Sequence, residues 1–173
     1  MEILAILCLT TTIGLLVLLA VIDFRTFLLP NIYVAPFAIL GVVFHISTDF
    51  YYLSLAQMII GGVAGYGLLY IIRAAGNKYY GQDSLGLGDV KLLGASGLWL
   101  GLDGVLFAMT LGAMAGLIHG LIFAIYKKFK TKEPFSFARL TIPAGPGFVI
   151  GILLVGAWMY QGFIIQSIYD FLP

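Results

Sequence analysis

Asp83-Ser84-Leu85-Gly86-Leu87-Gly88-Asp89-Val90-Lys91-Leu92-Leu93 is the stretch on which the fold turns. Two glycines spaced by one residue lead into an aspartate, and the aspartate opens an apolar run over residues 90–102. That run is short for a membrane crossing, where ~20 residues is usual. It is therefore either a short spanning helix or a re-entrant hairpin. On either side of it lie longer uncharged runs, at residues 3–22, 32–46, 53–72, 104–126 and 148–168. A mean hydropathy of +1.06, with 61% hydrophobic and only 10% charged residues, describes a polytopic membrane protein. Residues 1–173 read as a single membrane-embedded domain, with no room for a separate soluble module.

Charge placement decides between the two readings of residues 90–102. If that run crosses, the loops carrying Arg25, Arg73, Lys78, Lys91, Lys127, Lys128, Lys130, Lys132 and Arg139 all lie on one side. These are all 9 basic residues of the chain. The opposite side then holds Glu2, Asp49, Asp103 and Asp170 and no Lys or Arg. A re-entrant segment would send Lys127 to Lys132 to the other side. The positive-inside rule favours the crossing and places the basic loops in the cytoplasm. The expected fold is all-α, with six transmembrane helices and both termini extracytoplasmic. Asp23, which ends the first run, and Asp89, which begins the fourth, then share the cytoplasmic edge.

Other features exclude function classes. A net charge of +1 gives no footprint for nucleic acid. The one cysteine, Cys8, sits in an apolar run and reads as a small hydrophobe. No disulfide framework or zinc-binding cysteine pair can be built from it. His45 and His119 fall on separate spans without ligand spacing, so neither a metal nor another cofactor is expected. The N-terminus opens with Glu2 and not with a basic segment, unlike a signal peptide. Tyr51 and Tyr52 suit an interfacial aromatic belt. Gly61 and Gly65, Gly112, Gly116 and Gly120, and Gly147 and Gly151 recur every four residues, which lets helices pack closely.

An ionisable group near the centre of a membrane helix costs roughly 2.5–3.5 kcal/mol on insertion scales, so intramembrane acids are functional candidates. The bland alternatives are an interface ion pair between Asp23 and Arg25, and a capping carboxylate at Asp89. Two carboxylates a few Å apart cannot both ionise cheaply and share a proton. The ionised member deprotonates a water and the protonated one donates to a scissile carbonyl. Such acid–base work contributes roughly 10²–10⁴-fold. No Ser or Cys nucleophile with a partnered His competes for that role. Positions two apart on a helix do not face each other, so Lys91 is expected to point to lipid headgroups, away from Asp89.

Together these motifs resemble the prepilin peptidase family, membrane aspartyl proteases of the Gly-x-Gly-Asp type. The first motif reads Asp23-Phe24-Arg25-Thr26-Phe27-Leu28-Leu29-Pro30-Asn31, and the second runs from Asp83 to Leu93. A third, weaker match is Ile142-Pro143-Ala144-Gly145-Pro146-Gly147. The resemblance implies Asp23 and Asp89 as the catalytic pair. It gives supporting roles to Gly86, Gly88, Lys91, Arg25, Pro30 and Asn31, and makes Asp83, Pro143 and Pro146 candidate substrate contacts. It implies type IV prepilin or pseudopilin substrates, and a multi-pass protein of the bacterial inner membrane whose bilayer partner is the lipid around it. The pattern is that of a short form without the cysteine-rich methyltransferase region of many relatives. Asp83 stands where family members often have Glu, and Ala144 and Gly147 stand where they often have an aromatic. The acidic Asp83 and Glu133 are expected to attract a basic leader. Two further readings stay open: an archaeal-type preflagellin peptidase, and a proton- or ion-coupled transporter using the same acids near mid-span.

Overall fold

A computed structural model describes residues 1–131 and 143–171, with side chains for 1–126 and 143–170. The side chains of Lys127, Lys128 and Lys130, and all of Lys132, Glu133 and Arg139, whose charges weigh in the orientation, lie outside the described residues. Every described element is helical: α1 (Glu2–Thr26), α2 (Asn31–Ser47), α3 (Leu55–Tyr80), α4 (Leu87–Thr131), α5 (Gly145–Met159) and α6 (Gln161–Phe171). Three of them, α1, α3 and α4, are long and apolar enough to cross a membrane, and α5 with α6 makes a fourth if that bent pair is one span. At 17 residues α2 is shorter. Large apolar side chains such as Val63, Leu117 and Trp158 point outward. In water that surface would aggregate; against lipid tails it is in its own solvent.

The element α4 is two helices joined at a sharp kink. Gly101 has φ 67° and ψ −171°, a conformation essentially reserved for glycine. A straight helix would set positions 93 and 105 roughly 18 Å apart. Instead the Leu93 carbonyl and the Val105 side chain both crowd the site where a Gly65 side chain would begin. The chain therefore doubles back at Gly101, and residues 90–102 and 104–126 form two antiparallel rods. The first rod packs on α3, with Gly61 against Gly97 and Gly65 against Leu93. The second packs on α5, with Gly112 against Gly147 and Ala108 against Gly151. Lipid offers no hydrophobic drive for helices to associate, so such side-chain-free contacts supply the van der Waals packing.

The freed carbonyl at the reversal is satisfied from two other helices. Trp99 O accepts from His45 Nε2 at 3.2 Å and from the Tyr160 hydroxyl. Around it Phe37, Phe44, Tyr52, Trp99 and Tyr160 form an aromatic cluster at one end of the bundle. The same anchor corrects an expectation. Residues 148–168 do not form one uninterrupted helix, because the chain breaks at Tyr160 and α6 leaves α5 at 65°. Tyr160 is buried and its hydroxyl is held at Trp99, which turns the backbone there.

A further boundary differs from expectation. Residues 73–80, read as connection, continue α3 for two more turns until Gly81, whose φ of 66° ends the helix with its N–H on Asn77 O. At the start of α3, Ser54 and Gln57 form a reciprocal capping box, which satisfies two otherwise unpaired donors. Asp23 lies inside the last turn of α1, and Pro30 is the N-cap of α2.

Candidate active site

The end of the bundle opposite the aromatic cluster gathers the C-termini of α1 and α3 and the N-termini of α2, α4 and α5. Asp23 is placed by the last turn of α1, where its carbonyl accepts the Phe27 N–H at 2.8 Å and Phe27 adopts φ 56° to close the helix. Its side chain points inward and is 4% exposed. Oδ2 accepts the Gly145 N–H at 2.9 Å. Gly145 is the first residue of α5, where amides lack intrahelical partners and the helix dipole favours a negative charge. The ion pair with Arg25 is not made: Arg25 faces outward, and among the described residues the ion pair present is Arg73–Asp83.

Asp89 sits in the first turn of α4 and is 6% exposed. Gly86, just before α4, lies against its carboxylate, where a Cβ would stand 2.9 Å from Oδ2, so the place weighed as the bland capping alternative is the one Asp89 occupies. That contact involves only part of the group. Oδ1 is buried without a hydrogen-bond partner, an exception that a native interior rarely leaves unexplained. The Asp23 carboxylate lies near enough that the two charges repel. The structure thus brings together two acids from distant parts of the chain, both at helix ends and neither at mid-span.

The supporting residues divide. Gly88 lies against Leu29, where a Cβ would stand 2.7 Å from the Leu29 Cβ, so the two aspartate loops meet backbone to side chain. Lys91 donates to Asn31 Oδ1 at 3.0 Å and joins the same two loops. It does not stand free towards headgroups, because Asn31, at the start of α2, is within its reach. Pro146 lies in the first turn of α5 and Pro143 just before it, so both flank Gly145. Asp83 is engaged by Arg73 and Asn77 of α3. Gly145, Arg73 and Asn77 do not stand out as site residues in the sequence. The only signals for them there are the Pro-x-Gly-Pro turn and the four-residue spacing of Arg73 and Asn77.

From the Asn31–Lys91 link, a groove of about 690 Å³ runs between α2, α3 and the first rod of α4. It begins at Asn31 and Lys91, and ends near Ile59 and Leu98. Its floor is small: Ala35, Ala38, Gly62, Gly67, Gly94 and Ala95 line it.

The sequence profile described as the type IV leader peptidase family matches residues 10–121. Among curated proteins, the chain is 33% identical over 148 residues to a prepilin leader peptidase/N-methyltransferase of Dickeya chrysanthemi, covering 85% of this chain and 51% of that protein. It is 35% identical over 136 residues to the protein of the same name from Pectobacterium carotovorum subsp. carotovorum, covering 79% and 46%. The protein of that name from Escherichia coli (strain K12) is 29% identical over 136 residues, covering 79% and 56%. The chain spans about half the length of the curated relatives it matches. No solved structure matches it.

Proposed function

The chain belongs to the type IV leader peptidase family, and from that premise we propose that it is an aspartyl endopeptidase removing the leaders of type IV prepilins or pseudopilins. The observation that carries this reading is the pair itself. Two buried carboxylates lie near enough for their charges to interact, one held by the Gly145 amide and the other with an oxygen to spare. With one proton shared between them, the ionised carboxylate takes a proton from water as the water oxygen adds to the scissile carbonyl carbon. The protonated partner donates to the carbonyl oxygen. Collapse of the adduct breaks the C–N bond and the amine leaves with a proton.

The placement of charges supports a cytoplasmic site. Arg25, Arg73, Lys78 and Lys91 stand at the acid end of the bundle, and Glu2, Asp49 and Asp103 at the other. The reversal at Gly101 supports counting residues 90–102 and 104–126 as separate crossings. We therefore read the protein as a six-span inner-membrane protein with both termini outside. The groove beside Lys91 offers the apolar helix that follows a prepilin leader a path into the bilayer, with its start at Asn31 and Lys91.

The test is co-expression with a prepilin, with leader removal read by gel shift for wild type, Asp23→Asn and Asp89→Asn. Asn keeps size and polarity but cannot cycle a proton, so both variants insert and neither cleaves. Cleavage that persists in either variant removes the dyad. Failure of the wild type on several prepilins removes the peptidase reading.

A further inference from the structure

The loop between α3 and α4 is tied, residue by residue, to one face of α3. Arg73 and Asn77 lie one turn apart and share that face. Arg73 Nη2 donates to Asp83 Oδ1 at 2.7 Å, and its Nε donates to the Leu85 carbonyl at 2.9 Å. Asn77 Nδ2 donates to the same Asp83 oxygen at 2.8 Å. Asn77 Oδ1 in turn accepts the Ser84 N–H at 2.8 Å and the Ser84 hydroxyl at 3.0 Å. Between these two side chains stands Gly76, where any Cβ would collide with the Ser84 hydroxyl. The loop therefore lies flat on α3 because that position has no side chain. Residues 83, 84 and 85 are each fixed, and the next residue, Gly86, lies against Asp89, where a Cβ would stand 2.9 Å from its Oδ2.

We propose that Arg73 and Asn77 are positioning residues that set the place of Asp89 through the loop they clamp, and that Asp83 serves this clamp instead of contacting substrate. The inference rests on the peptidase reading for its catalytic consequence, but not for its geometry. Asp83 has 77% of its side chain exposed, which would suit a contact to a basic leader. Its charge, however, is already matched by the guanidinium and by a second donor on the same oxygen. The Arg73 fork also serves two acceptors at once, an arrangement that a lysine cannot reproduce.

Two measurements on the full chain in detergent micelles test this. The first is hydrogen exchange across residues 81–89 in Asn77→Ala and Arg73→Gln. Exchange there should run about tenfold faster, as befits loss of a charge-assisted hydrogen bond, while exchange in α1 and α5 is unchanged. This arm needs no cleavage, so its outcome holds even if the peptidase reading fails. Unchanged exchange in residues 81–89 overturns the clamp. The second is steady-state cleavage of a prepilin. Each of Arg73→Gln, Asn77→Ala and Asp83→Asn should lower kcat by about 10²-fold, the penalty of a catalytic group misplaced by about 1 Å, with KM held. The reciprocal pair Arg73→Asp with Asp83→Arg should recover part of kcat, and Arg73→Lys should recover less than the wild-type rate. A rise in KM that scales with the positive charge of the leader, with kcat held, would make Asp83 a substrate contact and sink the proposal.

Discussion

On the proposed peptidase reading, Gly145→Ala should cut cleavage without unfolding the protein. A Cβ at that position would stand 2.6 Å from Asp23 Oδ2, 2.8 Å from its Cγ and 3.1 Å from its Cβ. All three atoms belong to one side chain, so turning the carboxylate gives no relief and the group must retreat. Ordinary contact begins at 3.4 Å, so the retreat is about 0.8 Å (3.4 − 2.6). That lengthens the 2.9 Å hydrogen bond from the Gly145 amide by up to the same amount, to the limit of useful length. A misplacement near 1 Å costs on the order of 10²-fold in rate, or about 2.7 kcal/mol of activation free energy. The fold is not at risk on propensity grounds, since Ala is favoured over Gly within helices by up to ~1 kcal/mol. The assay is the initial rate of prepilin cleavage in detergent micelles, with Asp23→Asn as the zero. Gly14→Ala is the neutral reference, because nothing lies within 4 Å of its added carbon. A Gly145→Ala rate within about threefold of wild type, well short of the 10²-fold expected, would show that Asp23 does not depend on the α5 amide.

Three further outcomes follow from particular contacts. Gly88→Ala sets a carbon 2.7 Å from the Leu29 Cβ and should part the two aspartate loops, with cleavage reduced about tenfold or more; an unaffected rate would separate that contact from activity. Gly101→Ala forces a side chain into φ 67°, ψ −171° and against Leu53. It should cost about 1–3 kcal/mol, read as a lower Tm in micelles, and an unchanged Tm would show that the reversal does not depend on glycine. Gly67→Phe fills the groove from a position with nothing within 4 Å. It should raise KM for a full prepilin but not for a short soluble leader peptide, and equal effects on both would close the groove as a substrate path.

Much of the architecture was legible because a bilayer enforces simple rules along one axis. Uncharged runs mark the depth of each helix, and charges are driven to the edges. Asp23, Asp89 and Lys91 could therefore be assigned to one end of the bundle from order and hydropathy alone. The reversal between residues 90–102 and 104–126 followed from where the basic residues fell, and Gly101 supplies its backbone. What hydropathy does not encode is position around that axis. Which helices are neighbours depends on side-chain-free contacts such as Gly61 against Gly97, and on backbone partners that carry no residue signature. Hence the Gly145 amide at Asp23, the Arg73 and Asn77 clamp behind Asp89, the Lys91–Asn31 link and the bend at Tyr160 were settled only by tertiary packing. Depth in the membrane is a property of each segment's own composition. Lateral arrangement is a property of pairs of segments, and only the folded chain brings the pairs together.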